Sequence, residues 1–175
     1  MNISKIDLTK LSIANGKLLY DDTPTSFMTS WSRVCNCCDN DISLIVEPMH
    51  RSFFNHIESI LDKYGKLVSS NTLFKHTQSL PIVDAHNNRL IRMKQTNETL
   101  SYDQCAHKCK FITDMLLLDK CKVRIYFTYS CVKYTTHTDS NVVTSLPINI
   151  DMIQYRFNDT DAFPGELNPS LFGEE

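Results

Sequence analysis

Glycine and proline are scarce in this chain, four and six among 175 residues, and no stretch repeats at a fixed period. Linker-rich, collagenous and solenoid architectures are thereby excluded. No apolar run approaches the roughly 20 residues of a membrane span. The opening Met1-Asn2-Ile3-Ser4-Lys5-Ile6-Asp7 has too little apolar sequence for a secretory leader. The chain is therefore expected inside a cell, neither secreted nor in a membrane. Seven cysteines, an odd number without a leader, favour reduced thiols over a disulfide framework. Catalytic signatures are missing too: G-x-S-x-G, G-x-x-x-x-G-K-[ST], H-E-x-x-H and D-x-[DN]-x-[DN]-G do not occur. Neither an enzyme nor a cofactor is expected.

What the chain does have is an apolar content of 42%, enough for one domain of ordinary size. Its net charge of −2 is unevenly spread. All 18 lysines and arginines lie at or before Arg156, while Asp159, Asp161, Glu166, Glu174 and Glu175 follow it. A mildly basic body, residues 1–157, is thus expected to carry an acidic and flexible tail, residues 158–175.

The body reads as mainly β. Asn15-Gly16 between Leu11–Ala14 and Lys17–Tyr20 is a strong hairpin signal, because both turn positions tolerate positive φ. Phe27 to Cys35, Ile42 to Glu47 and Arg89 to Gln95 are further strand candidates, and Leu80 to Val83 is a shorter one. Phe53, Phe54, Ile57, Ile60, Leu61 and Tyr64 fall at helical spacing, which predicts a helix over about 53–64 with Gly65 as its C-terminal stop. Residues 66–88 read mostly as loop, and Asp114 to Leu118 as a short helical turn. Lys122 to Tyr134 and Leu146 to Phe157 form the clearest strand pair. Strands with one internal helix suggest a small Greek-key barrel.

Alternation along Lys122 to Tyr134 puts Val123, Ile125 and Phe127 on a core face. Lys122, Arg124, Tyr126 and Tyr134 share the other. Cations beside rings are what a strand of nucleic acid needs, one set for its phosphates and one for its bases. Arg89, Arg92 and Lys94 on the earlier strand add to a local excess of eight basic over four acidic residues between Arg89 and Arg124. Trp31, the sole tryptophan, alternates with Arg33 and is a candidate stacking platform or a core residue. Cys35, Cys37 and Cys38, with Cys105, His107 and Cys109, lack the usual paired spacing of a zinc site, so no metal is expected. In the tail, Phe163 and Phe172 among the acids could anchor a partner or occupy the cationic face.

The order of these features resembles the single-stranded DNA-binding proteins of large DNA viruses, which look related to those of short-tailed coliphages. The residues that carry it are Lys5 to Leu11, Phe27 to Trp31, Ile42 to Val46 feeding Phe53 to Tyr64, Lys122 to Phe127, and Ile148 to Phe157. The resemblance implies an OB-type barrel with Lys122, Arg124 and Tyr126 as DNA contacts. It implies replication proteins as partners of the tail around Phe172, at a nuclear or cytoplasmic replication site. A homodimer is left open. The alternative is a β-rich viral interaction module, zinc-stabilised or not, that never touches nucleic acid.

Overall fold

The computed structural model describes residues 1–38, 40–70, 75–77, 82–136 and 141–157. The tail from Asn158 onward, with all its candidate anchors, lies outside the described residues, as do Leu80 and Pro81 of the shortest strand candidate. The strands are β1 (Leu11–Ala14), β2 (Lys17–Tyr20), β3 (Phe27–Met28), β4 (Val34–Cys38), β5 (Asp41–Ile45), β6 (Lys75–Thr77), β7 (Ile82–Val83), β8 (Arg89–Tyr102), β9 (Cys121–Tyr129), β10 (Lys133–Thr136), β11 (Asn141–Ser145) and β12 (Ile148–Phe157). The α-helices are α1 (Arg51–Ser70) and α2 (Met115–Leu118).

A ring of five strand segments forms the body. β5 pairs with β8, β8 runs parallel to β12, β12 pairs with β9, and β9 pairs with β3. Closure comes from residues 27–38, one interrupted strand with two neighbours. Its first part holds β9 through Phe27↔Phe127 and a Ser32↔Val123 bridge, and its second part holds β5 through Val34↔Leu44. The chain is therefore mainly β, built as the Greek-key OB-type barrel that the strand pattern suggested.

Period-two alternation fills the interior. Ile42, Met93, Val123, Ile125, Phe127, Ile150, Ile153 and Tyr155 are all fully buried. Helix α1 covers one end of β9 with Phe53, Phe54 and Ile57, and the ring of Phe27 lies 5.3 Å from Phe53 and 5.8 Å from Phe127. The other end of β9 is covered by Leu118 and by Ile112, whose amide donates to the buried Tyr155 hydroxyl at 3.1 Å.

The β1–β2 hairpin forms as expected, with Asn15 at φ 50° and Gly16 at φ 73°. Gly65 does not stop α1, which continues to Ser70. Helix α1 packs beside a second sheet, ordered β10–β11–β6, and that tertiary contact outweighs the small helical cost of one glycine. Where a loop was expected over 66–88, the described residues include the end of α1 and strands β6 and β7. The expected single strand Lys122 to Tyr134 is also broken. Its ladder with β12 ends at Tyr129↔Ile148, because Pro147 has no N–H to extend it and instead accepts from Ser130 N–H at 2.8 Å. Tyr134 therefore belongs to the second sheet. Among the described residues no helix is long and apolar enough to cross a membrane.

Replacing Phe27 by alanine should cost about 3–5 kcal/mol, the range for a fully buried aromatic, and lower the urea midpoint without changing the slope. An unchanged midpoint would mean that the Phe27–Phe53–Phe127 cluster is not the centre of the core.

Candidate nucleic-acid interface

Because Val123, Ile125 and Phe127 face inward, Lys122, Arg124 and Tyr126 face outward from β9, as the alternation required. Only the register shows what stands beside them. Across β12, Arg156 lies directly opposite Lys122, Gln154 opposite Arg124 and Met152 opposite Tyr126. Lys122 and Arg156 are both exposed, and no ion pair holds either among the described residues. Like charges directly opposite on a sheet repel, so this pair costs stability that a bound anion would recover.

On the other flank of β9 the ladder contains a bulge. Thr29 N–H donates to Ile125 O at 2.9 Å, and Ser32 and Val123 exchange bonds of 2.8 and 2.9 Å. Two residues, Ser30 and Trp31, thus stand opposite Arg124 alone, which is the two-against-one pattern that re-aims a side chain. Trp31 is half-buried, and the Arg124 guanidinium lies over its ring, 4.5 Å from the centroid. Arg33, two residues on, is 58% exposed and is held by Glu47 at 3.0 Å.

The same strand then passes to a second cationic surface. Arg92 and Lys94 project outward from β8, flanking the fully buried Met93, and they pair in register with Ser43 and Asp41 of β5. Together with Asn36, Cys38 and Asn40 these residues line a polar groove of about 270 Å³. Residues 31–38 thus carry Trp31 and Arg33 beside one cationic patch and Asn36 and Cys38 beside the other.

Two predicted contacts lie elsewhere. Arg89 has the opposite parity to Arg92, and its guanidinium is held by Asn55 and Glu58 of α1. Tyr134 sits on β10, close to Tyr64 of α1. Arg156 and the groove-lining Asn36, Ser43 and Asn40 were not singled out by the sequence. Arg156 could be read as lying on a strand, but its partner depends on a register that includes a shift between Ile150 and Met152.

All seven cysteines are free thiols, and burial pushes Cys109 up to about 11 and Cys121 up to about 12. Among the described residues no three His, Cys, Asp or Glu side chains are grouped to hold a metal.

No family model matches the chain, and no curated protein matches its sequence. Solved structures do. The gp2.5 single-stranded DNA-binding protein of bacteriophage T7 shares 9% identity at a TM-score of 0.52, over 78% of this chain and 94% of that one. The single-stranded DNA-binding protein of bacteriophage Enc34 shares 11% identity at a TM-score of 0.52, over 92% of this chain and 97% of that one. At such identities the likeness is one of fold, and it extends over most of both chains.

The register makes Lys122→Glu a stabilising change, since it turns a repulsive pair with Arg156 into an attractive one. The expected gain is about 0.2–1 kcal/mol at low ionic strength, fading near 1 M salt, where charges beyond about 3 Å are screened. Thermal melts at the two salt concentrations measure it. A melting point lowered at low salt would contradict the pairing.

Proposed function

We propose that this chain binds single-stranded DNA on the outer face of the barrel, without a catalytic step. The observation that carries the reading is the Trp31 ring beneath Arg124, next to the unneutralised Lys122 and Arg156. A flat ring stacks on bases of any sequence, and cations around it hold the phosphates between them. Both solved relatives are described as single-stranded DNA-binding proteins, and this chain shares their fold.

The route follows the interrupted strand. From Arg156, Lys122 and Trp31 an unpaired polynucleotide would run along residues 31–38 to Arg92 and Lys94, onto the barrel face that OB-folds use for oligonucleotides. The seven steps from residue 31 to residue 38 span roughly 23 Å at about 3.3 Å per residue. That length suits a site at the short end of the range of about 4–16 nucleotides per OB-fold. Tyr126, beside Met152 and Met28, offers a second ring further along β9.

The role in the cell that fits this chemistry is coating single strands during replication or recombination, at an intracellular replication site. The acidic tail from Asp159 to Glu175 would compete weakly with DNA for the cationic face. Phe163 and Phe172 would serve as anchors for replication proteins.

Fluorescence anisotropy with labelled oligo-dT tests the reading. Binding is expected at about 50 mM salt, with log affinity falling against log salt by about 0.7 per phosphate held. Trp31→Ala should cost about 1–3 kcal/mol, or roughly 5- to 150-fold in affinity. Lys122→Glu combined with Arg124→Glu should weaken binding further and flatten the salt slope, whereas Lys10→Glu, at a lysine already paired with Asp21, should leave it unchanged. Removing residues 158–175 should tighten binding. No binding at about 50 mM salt by the folded wild-type protein would leave a β-rich protein-interaction module as the better account.

A further inference from the structure

The bulge that places Trp31 leaves a backbone problem. Ser30 and Trp31 face one residue of β9, so Ser30 N–H has no ladder partner, and an unpaired buried amide is costly. The structure answers it with a side chain. Nε2 of His50 accepts from Ser30 N–H at 3.1 Å. His50 is fully buried in the short 3-10 turn Pro48–His50 that leads into α1, and its Nδ1 has no hydrogen-bond partner among the described residues.

We propose that His50 is the positioning residue of the Trp31–Arg124 platform, and that it performs this role only as the neutral ring with its proton on Nδ1. An acceptor is required at Nε2. A protonated ring would point an N–H at the Ser30 N–H, setting two donors against each other, and the bulge would lose its anchor. The remaining contacts of Ser30 hold it less directly: its carbonyl accepts from Ser32 Oγ at 3.0 Å, and its hydroxyl lies 3.3 Å from that of Ser4.

The surroundings of the imidazole favour the neutral form. Burial lowers its pKa, and Glu47 opposes this in part. Glu47 is the charged group that bears on His50 among the described residues, and its carboxylate is already engaged by Arg33. The β3–β4 segment meets the ring through the Ser30 amide. A group whose folded pKa is depressed contributes stability that is complete above its ordinary value, about 6.5, and is lost as pH falls below it. The platform should therefore loosen on mild acidification.

Trp31 is the only tryptophan, so intrinsic fluorescence reports on the platform directly. In the full chain a shift of its emission is expected as pH falls below about 6.5. His50→Gln, whose amide oxygen replaces Nε2 as acceptor, should keep the neutral-pH spectrum and lose the pH response. His50→Leu should show the loosened spectrum at every pH and bind oligo-dT about tenfold more weakly, the scale of one lost base stack. Nitrogen NMR of the wild-type ring gives a measurement independent of any variant's folding, and the neutral tautomer protonated on Nδ1 is expected. A ring protonated on Nε2 at neutral pH, or a Trp31 spectrum indifferent to both acid and His50→Leu, would overturn the proposal. The affinity readout alone rests on the DNA-binding reading. The expected fluorescence and tautomer without DNA binding would uphold the positioning role and remove that reading, and the reverse pattern would do the opposite.

Discussion

One strand serving two neighbours is the constraint on which the rest of this molecule depends. Residues 27–38 must pair with β9 at one end and with β5 at the other, or the barrel stays open. No straight strand turns that corner. The ladder is released at two places, the Ser30–Trp31 bulge against β9 and the register shift between Val34 and Asn36 against β5. Such irregularities bend the strand and increase its local twist, which is how sheets close on themselves. Each also leaves outward side chains in unusual places. Trp31 meets Arg124 because of the first, and Asn36 stands opposite Ser43 after the second.

Closure also settles how the charges lie. Strand parity sends every second residue of β9, β12 and β8 outward, so Lys122, Arg156, Arg92 and Lys94 cannot retreat into the core. Lys122 and Arg156 end side by side, and Arg92 and Lys94 flank one buried methionine. Asp41 stands opposite Lys94, whereas Lys122 and Arg156 face each other with no acid between them, and the nearby Glu47 and Glu58 are directed to Arg33 and Arg89. The cationic rows are held on a rigid scaffold, with little conformational freedom left to lose when an anionic chain arrives.

The ends of the barrel are sealed by different chemistry. At α1 the seal is aromatic, with the Phe27 ring in contact with Phe53, Phe127 and Tyr129, and Phe127 with Tyr129. Arg89 lies beneath that end, tied to α1 rather than to solvent. At the α2 end the seal is a hydrogen bond and two sulfurs, the Tyr155 hydroxyl with Ile112, and the buried Cys121 with the half-buried Cys109. These arrangements explain why several residues that look functional in isolation, Arg89, Cys109 and Cys121 among them, are parts of the frame.

Local chemistry was legible residue by residue. Asn15-Gly16 specified a hairpin because only such a pair accepts two positive φ angles cheaply. The alternation of Cys121–Tyr129 decided which side chains face solvent, and the spacing of Phe53, Phe54, Ile57 and Ile60 decided the helix. Whatever depended on a partner distant in sequence was not legible. The end of α1 lies past Gly65 because a second sheet packs there, and Tyr134 left its strand because Pro147, across the ladder, has no N–H to offer. Arg156 acquired meaning only from the register with Lys122, and His50 only from an amide stranded 20 residues earlier in the chain. A sequence determines which face of its own strand or helix each residue takes, since that needs only local backbone period. The tertiary structure alone decides which faces meet, because register, bulges and strand closure are settled by all the neighbours at once.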